Sequence, residues 1–513
     1  MRTQVEVLQE TTRRAPDSVA LTYFGKEMSY SQLDRISNGV AAQLSPYVER
    51  GDRVAVITQN VPQFVVLEYA VWKLGGVLVP LNPMYTPREL EYYFRDSDAK
   101  VVVATCESLS KAREAAKGRV VVQTSPDTFH PLPDQVREKW KVESCEEGLY
   151  LKGRSTFHVE VQDPEDVALL VYTSGTTGDP KGAVIKHKNL YASSWIYREW
   201  FKFTPQDKVL GAAPLFHVTG LVFHVATSVL SGASLRLFYR FDPDLALSTV
   251  EEEKTTATMA AATAFIAMVP KLRGRDLKSM RLWSSGGMAV PLSLEKQWRE
   301  GTGSWIYVAW GLTETTSPAT LWPYPYEGDV PLDPKTNVVS SGIPVYYTWV
   351  KLVDSELVDG EEVGEIAVKG PQVVDGYWNK PEANAKTFRD GWLLTGDVAK
   401  LINGWVYIID RKKDLINASG FKVYPREVEE VIYLHPAVEE VAVVGVPDPY
   451  RGETVKAFVK LKDGYSGNES LKRELELFCR ERLAAYKVPR EVEFVDEVPK
   501  TASGKILRRA FRA

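Results

Sequence analysis

Apolar and polar positions follow two rhythms along the first quarter of the chain. QVEVLQETTRRAP repeats its apolar residues at helical spacing, ALTYFGKEMSY reads as a short hairpin, and SQLDRISNGVAAQL predicts another helix from Ser31. RVAVITQN, VLVPLNP, KVVVAT and RVVVQT predict strands, with the helical segments VPQFVVLEYAVWKLGG and PRELEYYFRD among them. The alternation predicts an α/β fold with mostly parallel strands. From 135 to 165 the chain is charged and aperiodic, which predicts a surface excursion.

A run of apolar residues, Val167–Val171, then predicts a buried strand that opens into YTSGTTGDPKG, Tyr172 to Gly182. Glycines allow backbone N–H groups close to phosphate oxygens, hydroxyls add donors, and Lys181 adds a mobile charge. It is not a P-loop, because no Gly-Lys-Ser/Thr closes it and GAVIKH predicts a strand, not a helix. Taken alone it also reads as a Gly/Ser/Thr loop between strands.

Downstream, NLYASSWIYREWF predicts an amphipathic helix, and VLGAAPLFHVTGLVFHVATSVLSGASLRLF a strand, a loop and a buried helix. SSGGMAVPL and YVAWGLTETT each have the form of a strand followed by a Gly-containing turn, and such strand ends face the ligand crevice of a doubly wound sheet. GWLLTGDVAKLINGWVYIIDRKKD contains a hairpin turn at Asn403-Gly404. Apolar pattern gives way to charge at Arg411-Lys412-Lys413, and a new rhythm begins. Beyond it, EVEEVIYLHPAV predicts a helix, EEVAVVGVPD and ETVKAFVKLK strands, SLKRELELFCRERLAAYKVP a helix capped by Ser470, and EVEFVDEVP a strand. The organisation predicted is a large domain over 1–411, a boundary at 412–413 and a small α+β domain over 414–513.

Composition narrows the partners. The 513 residues carry 63 basic against 67 acidic side chains, so the charge balance gives no argument for nucleic acid. Cys106, Cys145 and Cys479 are odd in number and widely spaced, which predicts neither a disulfide framework nor a zinc site and fits a reducing, cytoplasmic setting. No apolar stretch reaches a membrane span, so membrane contact is expected to be peripheral at most. An oligomer is allowed for.

YTSGTTGDPKG resembles the signature loop of the adenylate-forming enzymes, the superfamily of acyl- and aryl-CoA synthetases, and motifs resembling that superfamily's follow in order over essentially the whole chain. The resemblance implies a small mobile C-terminal lid and an acyl-CoA synthetase that uses ATP, Mg2+ and coenzyme A. It implies nucleotide or coenzyme contacts from Thr173, Ser174, Gly175, Thr176, Thr177, Gly178 and Lys181. Further contacts would come from Gly286, Gly287 and Met288, from Ala309, Trp310, Gly311, Leu312 and Thr313, and from Asp397, Ile409 and Arg411. Trp310 would stack on the purine, Asp397 would accept the ribose hydroxyls, and Glu314 with Thr173 would hold the metal. Taken alone, Glu314 reads as a helix N-terminal carboxylate and Asp397 as a cap.

In PLFHVTG, His217 sits where the family borders the acyl pocket; by itself it reads as a core histidine. A lysine in an exposed TASGK turn is by default a solvated surface residue, yet PKTASGKILRR matches the family motif closely and implies Lys505 as the catalytic cation of adenylation. Lys413 would be the hinge, and Ser419, Gly420 and Phe421 would face the pantetheine arm. Acetate-specific relatives carry Trp at the position of Gly311, so glycine implies a pocket open to longer acids. Val218, Leu221 and Phe223 are apolar lining candidates that suggest an aliphatic, medium- or long-chain acid, with an aryl acid as the alternative. Met288 replaces a more common small Ala there, which could bend or shorten the tunnel.

Overall fold

The computed structural model describes residues 1–149, 156–160, 162–173, 179–358, 360–412, 414–418, 421–448, 452–501 and 506–511. Helix starts follow local chemistry. Thr3 with Glu6, Ser29 with Gln32 and Thr86 with Glu89 form capping boxes that begin the helices Gln4–Arg14, Tyr30–Leu44 and Pro87–Asp96. Pro62 opens Pro62–Lys73, whose every residue is buried. Its one lysine tolerates that because Lys73 Nζ reaches Asp34 Oδ1 at 2.7 Å, Ser37 Oγ at 2.8 Å and Asn38 Oδ1 at 2.7 Å.

Two sheets form the large N-terminal part. In the first, Val120–Thr124, Ala99–Thr105, Arg53–Ile57, Val77–Leu81 and Val167–Thr173 run parallel, and Lys181–Lys186 closes the edge antiparallel. In the second, a nine-stranded sheet, the central run Val19–Tyr23, Ser234–Leu237, Lys208–Leu210, Ala257–Ala260, Leu282–Gly286 and Ile306–Trp310 is parallel. A five-stranded antiparallel sheet follows, with Trp392–Ile402 and Trp405–Arg411 as its hairpin. Asn403 and Gly404 turn it with φ of 51° and 84°, the left-handed pair that an Asn-Gly hairpin turn needs.

The small C-terminal part carries Ile416–Ala418, Phe421–Val423, Val438–Asp448, Gly452–Leu461 and Glu491–Phe494 in one sheet. The helices Pro425–Tyr433 and Glu469–Arg480 pack against one core with it. The last helix is capped by Asn468, whose side chain accepts from Leu471 N–H at 2.9 Å, and not by Ser470. Asn468 wins because the helix starts at Glu469, two residues earlier than a Ser470 cap would place it.

One expectation about the cysteines fails. Cys106 and Cys145 are bonded, with Cα atoms 6.0 Å apart. The aperiodic stretch doubles back along Val120–Thr124, where Gly148 N–H donates to the Gln123 carbonyl at 3.2 Å and Gln123 Nε2 to Glu146 O at 2.7 Å. That return brings two distant cysteines together, which sequence separation alone hides. Cys479 is free and buried.

Candidate active site

The strand Val167–Thr173 and its partner Lys181–Lys186 place Thr173 directly opposite Lys181. The hairpin is anchored outside the loop: Tyr92 Oη donates to Pro180 O at 2.8 Å, and Tyr172 Oη to Asp96 Oδ2 at 2.8 Å. Ser174, Gly175, Thr176, Thr177 and Gly178 lie outside the described residues, as do Lys413, Ser419, Gly420, Lys505 and the side chain of Phe421.

The segment 374–378 adds itself to the hairpin edge. Val184 N–H donates to Gly376 O at 3.0 Å and Trp378 N–H to Gly182 O at 2.8 Å, with Ala183 bridging Tyr377. This puts the Tyr377 ring under Lys181, whose Nζ lies 5.3 Å from the ring centroid. The Tyr377 hydroxyl donates to Glu314 Oε1 at 2.5 Å. Burial, then the adjacent Glu314 carboxylate, pushes the Tyr377 hydroxyl well above its usual range, so it stays a donor.

Glu314 sits in the short turn Thr313–Thr315 that follows the strand Ile306–Trp310. Among the described residues no donor reaches its Oε2. No three His, Cys, Asp or Glu side chains among them converge as a metal cage. One carboxylate oxygen with spare capacity suits a hard dication that draws its other ligands from phosphate and water.

Four residues earlier, the Trp310 indole N–H donates to Asp397 Oδ2 at 2.9 Å. Arg411 Nε lies 3.3 Å from Asp397 Oδ1, without hydrogen-bond alignment. Oδ1 is therefore a buried acceptor awaiting a donor, and a ribose hydroxyl would satisfy it. A continuous line of contacts thus runs from Lys181 through Tyr377 and Glu314, along the turn to Trp310, and on to Asp397 and Arg411. Gly286 pairs with Ala309 at the neighbouring strand end, Gly287 takes φ 88°, and Met288 packs half-buried on the main core.

Some predicted residues have other work. Ile409 is buried with Val363, Val398 and Tyr424, an apolar support behind Arg411. A Cβ at Gly311 would run into the Ser317 carbonyl oxygen and come within 3.0 Å of Thr315 Oγ1. Glycine there is demanded by the turn, in which Thr315 Oγ1 accepts from Leu312 N–H at 2.7 Å. Its presence therefore says nothing about pocket length, which corrects the expectation above. Thr316 and Ser317 both hold positive φ, 46° and 90°, and strain of this kind in non-glycine residues concentrates at functional sites.

His217 is half-buried, its Nδ1 facing the Thr219 N–H at 3.4 Å, just before the π-helical turn Gly220–Ala226. Gly220 is required where a Cβ would strike the Pro214 carbonyl. Val218 and Leu221 are buried, and Phe223 is enclosed by Tyr197, Phe201 and Phe203 in the aromatic core. The nearby His224 is held neutral, its pKa lowered to about 3 by burial, and its Nε2 accepts from Ala213 N–H at 3.0 Å. Tyr377 and Tyr197 escape sequence reading. Tyr377 lies in DGYWNKP, which has no periodicity, and Tyr197, whose hydroxyl meets Ser317 Oγ at 2.8 Å, looks like one more aromatic on a helix face.

Comparison with known proteins agrees with this geometry. The family described as AMP-binding enzyme matches residues 8–378, and the AMP-binding enzyme C-terminal domain matches 427–505. A long-chain-fatty-acid–CoA ligase of Bacillus subtilis is 38% identical over 544 residues, covering 99% of this chain and 94% of that protein. A feruloyl-CoA synthase of an Amycolatopsis species is 35% identical, covering 98% and 96%. The structure of Bacillus subtilis O-succinylbenzoate coenzyme A synthetase with ATP and magnesium ion superposes with a TM-score of 0.81 at 30% identity, covering 98% of each chain.

Proposed function

The chain belongs to the AMP-binding enzyme family, and from that premise we propose that it activates a medium- or long-chain fatty acid for transfer to coenzyme A. It is an acid–thiol ligase, with a carboxylic acid, ATP and coenzyme A as substrates and Mg2+ as activating ion. The observation that carries the residue roles is the unbroken contact line from Lys181 to Arg411.

In the first step a carboxylate oxygen bonds to the α-phosphorus of ATP while the bond from that phosphorus to the bridging oxygen breaks, releasing pyrophosphate. Both reactants are anions, so the site must cancel charge before they meet. Glu314, with Thr173 on the neighbouring strand end, would hold magnesium, which when bound would supply charge neutralisation on the phosphates. Lys181 and the hydroxyls of Thr313 and the 173–178 loop take the departing pyrophosphate. On the family resemblance Lys505 would supply the positive charge that carboxylate and α-phosphate need, while Asp397 receives the ribose and Trp310 stacks on the base.

In the second step the coenzyme thiol gives up its proton to solvent, its sulfur bonds to the acyl carbon, and the bond from that carbon to the phosphate oxygen of AMP breaks, releasing AMP. The lid, 414–513, turns about the hinge at 412–413, removing Lys505 and presenting Ser419, Gly420 and Phe421 to the pantetheine arm. Exclusion of water protects the mixed anhydride meanwhile. His217 borders the carboxylate end of the acyl pocket.

The fatty-acid assignment is supported by 38% identity to a ligase of that class and by the apolar surroundings of Val218 and Leu221. An aryl acid, loaded on coenzyme A or a carrier protein, is the competing reading, favoured by 35% identity to a feruloyl-CoA synthase. Pyrophosphate exchange across acids from acetate to stearate, with ferulate and benzoate, separates them. The highest kcat/KM is expected between octanoate and palmitate, followed by thioester formation on free coenzyme A. Maximal turnover of an aryl acid, or thioester formed only on a carrier protein, would refute the assignment.

A further inference from the structure

Resting on Glu314 as the metal carboxylate and Lys181 as a phosphate contact, we propose that Tyr377 is a positioning residue for the metal–triphosphate complex. Its hydroxyl fixes the Glu314 carboxylate while its ring carries the Lys181 ammonium, so the two groups meet ATP at a set spacing.

Tyr377 is itself fixed from several sides. Its N–H donates to Asn384 Oδ1 at 2.7 Å, Asn384 Nδ2 returns a bond to its carbonyl at 3.0 Å, and its neighbours are stitched to the hairpin edge. Its ring packs edge-on to Phe388 at 5.7 Å. These contacts settle the ring without the hydroxyl. The hydroxyl is used instead on Glu314 Oε1, leaving Oε2 for a ligand. Glu314 is tied to the same segment through its main chain, its carbonyl accepting from Val374 N–H at 2.9 Å.

The ring contact with Lys181 is the second half of the device. Among the described residues Lys181 makes no ion pair. An aromatic face orients an ammonium without neutralising it, so the charge stays available for phosphate. A carboxylate in the same place would orient the lysine and cancel it.

The test is Tyr377→Phe, which keeps ring and packing and deletes only the hydroxyl. Binding of Mn2+ in the presence of ATP is read by electron paramagnetic resonance, and thermal stabilisation is read separately with AMP alone. The Mn2+ midpoint should rise about tenfold, the order expected on losing one charge-assisted hydrogen bond, while stabilisation by AMP stays as in the wild type. In a Glu314→Gln background the same substitution should move the midpoint less than about twofold, because the pair acts as a unit. Wild-type binding with an unchanged midpoint in Tyr377→Phe overturns the role of Tyr377 alone. Equal weakening of AMP and of Mn2+–ATP makes the residue merely structural and also overturns it. A wild-type protein that binds no Mn2+–ATP overturns the parent reading and this role with it.

Discussion

Asp410 and Arg411 are neighbours on one strand and face opposite kinds of polar surroundings. Arg411 looks toward Asp397, with 37% of its side chain exposed and the Asp397 Oδ1 beside it still open to a donor. Asp410 looks the other way, 2% exposed, into a dense cluster. It accepts from Arg426 N–H at 2.9 Å and from Arg508 Nη1 at 3.2 Å. Arg508 also reaches Glu429 Oε2 at 2.7 Å. Arg426, Glu429 and Glu430 share one face of the helix Pro425–Tyr433 because they are three and four positions apart. From that face Arg426 bonds the carbonyls of Ile408 and Val339, and Glu430 accepts from Leu292 N–H at 3.2 Å. Charges with open capacity beside a partly exposed arginine suit a binding site, and charges enclosed against one another, even with Arg426 Nε left without a hydrogen bond, make a joint between two parts of the chain.

The largest expected effect breaks the joint. Arg508→Met leaves the Asp410 and Glu429 carboxylates facing each other without their shared cation. Removing one member of a buried ion network costs about 3–5 kcal/mol, and urea unfolding should show that loss, with early exposure of the C-terminal part to protease. A loss below about 1 kcal/mol would mean that the cluster is solvated and that the contrast with Arg411 is false.

The mirror experiment on the other face of the strand should hurt activity and spare stability. Asp397→Asn retains an acceptor for the Trp310 indole but loses the charge offered to the ribose hydroxyls. A fall of about tenfold to a hundredfold in kcat/KM for ATP is expected, the scale of a hydrogen bond to a charged group, with a stability loss of about 1 kcal/mol or less because the buried acceptor for Trp310 is retained. Equal loss of stability would place Asp397 in the same class as Asp410.

Much of this contrast is legible in the sequence on one side only. The strand–turn ends that carry Trp310, Glu314 and Asp397 are legible as turns, because polar residues interrupt apolar runs there, but the roles expected of the three residues come from the family resemblance and not from that pattern. The Asn403-Gly404 hairpin and the strand after the YTSGTTGDP loop are legible for the same local reason. The joint is not. PREVEEVIY reads as an amphipathic helix with a charged outer face, and only the tertiary arrangement turns that face inward onto Asp410 and Leu292. Tyr377 is hidden likewise, since its partners Lys181 and Glu314 are distant in sequence. The Cys106–Cys145 contact and the carbonyl beneath Gly311 are also products of chain return, which no local spacing encodes.

The finest test of the comparison uses pH. Burial, opposed by Arg426, pushes the Glu430 carboxyl up to about 7 from an ordinary value near 4.5. Arg426 and Glu429 flank it on its own helix, and Leu292 N–H faces it from the large N-terminal part. Between those two pH values the folded chain holds a proton that the unfolded chain has released. Stability from this group is therefore complete below about pH 4.5 and declines as pH rises through 7. Glu430→Gln keeps an acceptor for Leu292 and removes the titration. Relative to the variant, the wild type should lose on the order of 1–3 kcal/mol between pH 5 and 8, measured by urea unfolding at both. Parallel pH dependence in the two proteins would show Glu430 ionised at pH 5 in the folded chain, and the joint would then be as open to water as the site beside Arg411.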